Sequence, residues 1–172
     1  MQLGSERLLD NLKKYPELRQ KRVGLLAHPA SVNSNLQHIV DYLTGNQISL
    51  TCAFGPQHGM LGDKQDNMIE SKDYVDPRYG IPIYSLYSDV RRPTPKMLDS
   101  FDILLVDLQD VGTRIYTYIT TLIYFLQECQ NSDRQIWILD RPNPIGRKIE
   151  GHILSLEYES FVGAAEMPMR HG

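Results

Sequence analysis

A chain of 172 residues with 41% hydrophobic and 23% charged side chains holds enough apolar material for one packed domain, since roughly 150 residues bury about 70% of their unfolded surface. A formal net charge of −3 with no basic block excludes the usual footprint of a nucleic-acid binder, and no stretch approaches the roughly 18 apolar residues of a membrane span. The opening Met1-Gln2-Leu3-Gly4-Ser5-Glu6 has neither the basic start nor the apolar run of a secretory leader, so the expectation is a cytoplasmic protein.

Along the chain, strand and helix signals alternate. Residues 8–18 carry apolar side chains at helical spacing, tempered by Pro16. Arg22-Val23-Gly24-Leu25-Leu26-Ala27 is a short, nearly continuous apolar run, which predicts a strand covered on both faces. Residues 33–43 read as a helix, with Asn33 or Ser34 as N-cap and Gly45 just past its end. Residues 48–54 form a second strand. A long polar loop then reaches about residue 80, and Pro82-Ile83-Tyr84-Ser85-Leu86 is a candidate third strand. Thr94 is placed to cap a short helix with Pro95 at its first position.

Asp102-Ile103-Leu104-Leu105-Val106-Asp107 is the strongest strand of the sequence, residues 115–130 the strongest helix, and Gln135-Ile136-Trp137-Ile138-Leu139-Asp140 the last clear strand. This alternation suits βαβ units with right-handed crossovers, and therefore an α/β domain on a parallel sheet. Cys52 and Cys129 belong to no CxxC or Cys/His pairing and are expected as buried free thiols. From residue 142 the pattern turns loop-rich and reaches Met169-Arg170-His171-Gly172 without a closing element. The expected division is an α/β domain over 1–150, with 151–172 as the start of a truncated C-terminal region.

In open α/β sheets, ligands bind beyond the carboxyl ends of the strands. Four loops start there, and all are polar: His28-Pro29-Ala30-Ser31-Val32-Asn33; Gly55-Pro56-Gln57-His58-Gly59, continuing to Asp63, Asp66, Asn67 and Glu70; Asp107-Leu108-Gln109-Asp110-Val111-Gly112-Thr113-Arg114; and Asp140-Arg141-Pro142-Asn143-Pro144. Each group also has a structural reading. Asp107 and Asp140 can cap turns, His58 can occupy a turn beside Gly59, Arg114 can pair with Asp110, and Tyr116 and Tyr118 can face the core. Nucleotide binding is weakly supported, because neither GxGxxG nor GxxxxGK[ST] occurs. Oxygen ligands for Mg²⁺ exist among Asp63, Asp66, Asp107, Asp110 and Asp140, without metal-specific spacing. Acid/base hydrolysis of a glycoside needs two carboxyl groups facing one bond, and composition does not choose among those available.

Several stretches resemble a bacterial family, the domain of unknown function 1343, associated with exo-acting β-N-acetylmuramidases. They are Gly24-Leu25-Leu26-Ala27-His28-Pro29-Ala30-Ser31-Val32, Phe54-Gly55-Pro56-Gln57-His58-Gly59, Ile83-Tyr84-Ser85-Leu86-Tyr87, Arg92-Pro93-Thr94-Pro95, the run from Asp107 to Tyr118, Leu139-Asp140-Arg141-Pro142-Asn143-Pro144, Ser160-Phe161-Val162-Gly163 and Pro168-Met169-Arg170-His171-Gly172. The resemblance implies a Rossmann-like parallel sheet with helices on both faces, no cofactor, and a substrate that is a peptidoglycan-derived muropeptide or amino sugar. It also implies a chain about twice this long, whose second domain helps wall the cleft. Muramidase members carry a glutamate where this sequence has Gln57, and that glutamate is their leading catalytic candidate.

Implied catalytic candidates are thus Gln57, His58, Glu70 as a replacement carboxylate, and Asp110. For the substrate, Arg114 or Arg141 would meet a lactyl carboxylate, Asn143 or Gln109 the acetamido group, and Tyr116 or Tyr118 the ring face. Asn33, Asp140 and His171 complete the implied binding set. The implied function is removal of non-reducing-end N-acetylmuramic acid. A non-catalytic muropeptide-binding module, or an inactive fragment of such an enzyme, is the alternative that Gln57 raises.

Overall fold

The computed structural model describes residues 2–60, 62, 72–87 and 89–172. Six strands form its central sheet: β1 (Val23–Ala27), β2 (Leu50–Gly55), β3 (Tyr74–Val75), β4 (Pro82–Ser85), β5 (Ile103–Asp107) and β6 (Gln135–Ile138). Their order is β3-β4-β2-β1-β5-β6. All neighbours run parallel except the short edge strand β3, which pairs antiparallel with β4. The parallel strands build outward from β1 first to one side and then to the other, which is the doubly wound, Rossmann-like arrangement. Every residue of β1 and β5 is buried, and this is why both read as unbroken apolar runs.

Side-chain alternation divides the core into two layers. Leu25, Ala27, Ile103 and Leu105 face α1 (Gly4–Asp10) and α2 (Ile39–Gly45), which contribute Leu8, Leu9, Ile39, Val40 and Leu43. Leu26, Leu104 and Val106 face α3 (Pro95–Leu98) and α4 (Thr117–Cys129), which contribute Met97, Phe125 and Cys129. Phe54 stands edge-on to Phe125 and Phe101, with centroids 5.0 and 5.8 Å away. At about 1.5–3 kcal/mol for each large apolar side chain fully buried, these layers are the chief source of stability. Cys52 and Cys129 are buried free thiols, and burial pushes Cys52 up to about 11.

Three local expectations give way. The first helix stops at Asp10, and the chain continues in 3-10 turns at Leu12–Lys14 and Pro16–Arg19. Pro16 has no N–H and keeps the residue before it out of the helical region; Tyr15 sits at φ −127, ψ 61. Leu18 still reaches the core and is fully buried. The second helix begins at Ile39, not near Asn33: Asn33 Oδ1 accepts the backbone N–H groups of Asn35 and Gln37, each at 3.0 Å, and so holds a turn. His38 is the actual N-cap, its Nδ1 accepting from Val40 N at 3.4 Å.

The tail is also more ordered than its composition implied. β7 (Glu150–Ile153) and β8 (Pro168–Arg170) pair antiparallel. β8 then extends onto the loop after β5, where Arg114 N donates to the Met169 carbonyl at 2.9 Å and His171 N to the Gly112 carbonyl at 3.0 Å. The short helix at Pro95 is as predicted, with Thr94 Oγ1 accepting from Met97 N at 3.3 Å.

Candidate functional site

β1 and β5 lie side by side where the winding reverses, so the loops leaving their carboxyl ends flank the crevice. His28 is the first residue past β1 and is buried. Its backbone N–H donates to Ser31 Oγ at 2.9 Å, and the Ser31 hydroxyl donates to the Asp107 carbonyl. The ring's Nε2 accepts the backbone N–H of Gln109 at 3.1 Å, so its proton is assigned to Nδ1. Tyr118 packs edge-on against it at 4.8 Å. Burial, with Arg141 and then His38 adding to it, pushes His28 down to about 4.

Asp107 ends β5 completely buried, and Arg141 follows β6 with its side chain only 6% exposed. The guanidinium grips the carboxylate with both arms, Nε to Oδ1 at 2.5 Å and Nη2 to Oδ2 at 2.9 Å, and Nη2 also donates to the Val32 carbonyl at 2.9 Å. Burial pushes the Asp107 carboxyl up, and the Arg141 guanidinium offsets only part of that rise. One ion pair therefore ties the loops after β1, β5 and β6 together. The resemblance implied Arg141 as a partner of a substrate carboxylate; in the fold its Nε and Nη2 bond Asp107 and Val32.

Arg114 is engaged as well. Its Nη1 donates to the carbonyls of His152 at 3.0 Å and Met167 at 2.8 Å, which fastens the tail rather than Asp110. Asp110 instead accepts from His171 Nε2 at 2.8 Å and from Gly112 N at 3.0 Å. The Gln109 amide donates to the carbonyls of Asp110 at 2.8 Å and Pro142 at 3.1 Å. Asn143 Nδ2 donates to the His171 carbonyl at 3.2 Å. Gln109, Asp110, Asn143 and His171 thus form one network across two loops and the tail. The backbone here requires glycine at 112: φ is +72, and a Cβ would come within 2.6 Å of the His171 carbonyl oxygen.

Among the aromatic candidates, Tyr116 and Tyr118 stack at 4.6 Å. Tyr118 is buried against His28, and burial pushes its phenol up. Tyr116 is half-buried. Asn33 is occupied with its own turn. Asp140 is exposed, and its carbonyl accepts Gly4 N at 2.8 Å, docking α1. A cleft of about 170 Å³ includes Leu108, Asp110, Tyr118, Ile119, Asp140 and Arg141 in its lining. A larger hollow of about 340 Å³ between α1 and β6 includes only Asp140 of the candidates and lies away from the β1 and β5 loops.

On the other side of β1, the loop after β2 turns through left-handed His58 and Gly59, at φ 69 and 74. Gln57 Oε1 accepts the Thr117 hydroxyl at 2.7 Å, which seats Gln57 at the amino end of α4. His58 lies 6.4 Å from the Tyr87 ring. Glu70, with Asp63, Asp66 and Asn67, lies outside the described residues. Among the described residues no group of three His, Cys, Asp or Glu is arranged to hold a metal. Sequence reasoning did not single out His28 or Thr117. A histidine directly past a buried strand, followed three residues later by serine, was the available signal for the first.

The fold and this polar edge define a doubly wound α/β domain with its loops joined at the switch point. The chain belongs to the family described as "Exo-beta-N-acetylmuramidase NamZ, N-terminal", which matches residues 23–172. It is 47% identical over 174 residues to the peptidoglycan beta-N-acetylmuramidase NamZ of Bacillus subtilis, an alignment covering 100% of this chain and 41% of that protein. Two crystal structures of DUF1343 family proteins from Bacteroides fragilis superpose with TM-scores of 0.87 and 0.80, at 37% and 34% identity. Each covers 99% of this chain, which spans 42% and 43% of theirs. The chain therefore spans less than half the length of these relatives. The family resemblance and the Rossmann-like fold read from the sequence are both borne out.

Proposed function

We propose that this chain is the sugar-binding N-terminal part of a glycoside hydrolase that removes N-acetylmuramic acid from the non-reducing end of peptidoglycan fragments. The observation that carries this reading is 47% identity along the whole chain to a protein named for that activity. The junction of four polar loops at one sheet edge supports it.

Glycoside hydrolysis ordinarily uses one carboxyl group to protonate the leaving oxygen and a second to assist at the anomeric carbon. Gln57 occupies the position where the family resemblance expects one of them, and an amide transfers no proton in that role. Its seat is nevertheless suited to an anion, because the Thr117 hydroxyl donates into it and the amino end of α4 carries partial positive charge. A carboxylate there would be held ionised, ready to accept a proton or to stabilise positive charge on the sugar. The amide favours a second reading, a muropeptide-binding module without turnover.

A chromogenic β-N-acetylmuraminide separates the two. Turnover well above blank supports the hydrolase, while binding of N-acetylmuramic acid without turnover supports the module. If the lost carboxylate is what silences the site, Gln57→Glu raises the rate by the roughly 10²–10⁴-fold that a positioned acid or base supplies. If Glu70 performs that task, the unmodified chain is active, Glu70→Gln abolishes turnover and Gln57→Glu changes little.

A further inference from the structure

Four other arginines of the fold are already engaged. Arg141 holds Asp107 and Arg114 holds two tail carbonyls. Arg170 pairs with Glu150 at 2.6 Å, and Arg92 donates to Gln127 and Glu128 while lying 4.0 Å from the Tyr124 ring. Arg91 differs from all of them. It is exposed, and among the described residues no carboxylate pairs with it. Its guanidinium carbon lies 4.6 Å from the ring centroid of Phe161 and 5.9 Å from that of Tyr87.

Those two rings are 5.9 Å apart with 33° between their planes, and Tyr87 in turn lies 6.4 Å from His58. The loop after β2, the loop after β4 and the segment between β7 and β8 therefore meet at one place on the edge, next to Gln57. A guanidinium beside aromatic rings is attracted by their electron-rich faces. Its N–H groups point outward in the guanidinium plane, and that fork matches a carboxylate with two parallel hydrogen bonds. The ring contacts also limit the side chain's freedom before a ligand arrives, so less is lost when one binds.

We propose that Arg91, steadied by Phe161 and Tyr87, reads the carboxylate of an acidic amino sugar. It thereby distinguishes N-acetylmuramic acid, which carries a lactyl carboxylate, from N-acetylglucosamine, which does not. This inference rests on the sugar-binding reading above. It moves the carboxylate contact from Arg114 and Arg141, which are held by hydrogen bonds to the tail carbonyls and to Asp107 and Val32, to the other side of the crevice.

Calorimetric titration of the 172-residue chain with three probes tests it: N-acetylmuramic acid, its lactyl amide, and N-acetylglucosamine. The unmodified chain is expected to prefer the free acid about 10-fold or more over both neutral sugars, with the preference shrinking as salt rises. Arg91→Gln should bring that preference below about 2-fold and leave N-acetylglucosamine binding unchanged, while Arg91→Lys keeps part of it. A thermal melt should match the unmodified chain, since the side chain is exposed. A preference that survives Arg91→Gln overturns the assignment and leaves the sugar-binding reading standing. Equal affinity of the unmodified chain for all three probes removes any carboxylate reader. Binding of none of them overturns both the assignment and the reading beneath it.

Discussion

The buried ion pair of Asp107 and Arg141, with the bond from Arg141 to the Val32 carbonyl, holds three loops of the carboxyl edge in place. Each partner of the pair is recognisable as a polar residue past an apolar strand, so its place on the carboxyl edge is legible. Their contact joins residues 34 apart, and nothing local to either one announces it. His28 lends itself to measurement. Its ordinary value is 6.5 and in the fold it lies at about 4, so between those pH values the unfolded chain binds a proton that the folded chain refuses. Stability should therefore decline as pH falls from about 6.5 to about 4 and level off below, by an amount near 3 kcal/mol. Denaturant unfolding at pH 7.5 and pH 4.5 checks this: His28→Gln should lose less stability between the two than the unmodified chain. Equal losses would show that the ring's burial has no energetic consequence.

Elements were legible in proportion to how far their own residues determine them. β5 is buried along its whole length, and its five residues identify it without help. The Thr94-Pro95 pair announced α3 because capping is local chemistry. The helix expected from residue 33 failed for an equally local reason, since the Asn33 side chain bonds the backbone just ahead of it and leaves Leu36 81% exposed at φ 59. β7 and β8 were missed because the segment between them is long and all four residues of β7 are exposed, so no alternation marks it. The join between β8 and the loop after β5 depends on Gly112. Gly112→Ala should destabilise the chain by about 1–3 kcal/mol, because the methyl group would meet Ile145 Cγ1 at 2.5 Å and the His171 oxygen at 2.6 Å. A thermal melt unchanged from the unmodified chain would contradict that placement.

At the level of the whole molecule, the strand order separates a rigid centre from a lightly covered rim. Ile103, Leu104 and Leu105 are fully buried, whereas Ile149, Ile153 and Tyr158 are about 70% exposed (71%, 68% and 68%). Regions with few buried apolar contacts open at low free energy. Amide exchange should therefore be early across 150–170 and slow in β5 and its neighbour β1, and comparable protection in both would count against this division. The same topology has a kinetic side. The bonds that join the edge connect residues far apart along the chain: Gln57 with Thr117 across 60 positions and His28 with Gln109 across 81. Closing loops of that length is entropically costly and slows the step that requires it. β1 and β2 can find each other while β5 is still unmade, but the crevice cannot exist until β5 has docked. The polar edge is thus among the last features to form as the chain folds, and protection of the Gln109 amide, which donates to His28, should lag behind the appearance of helical structure.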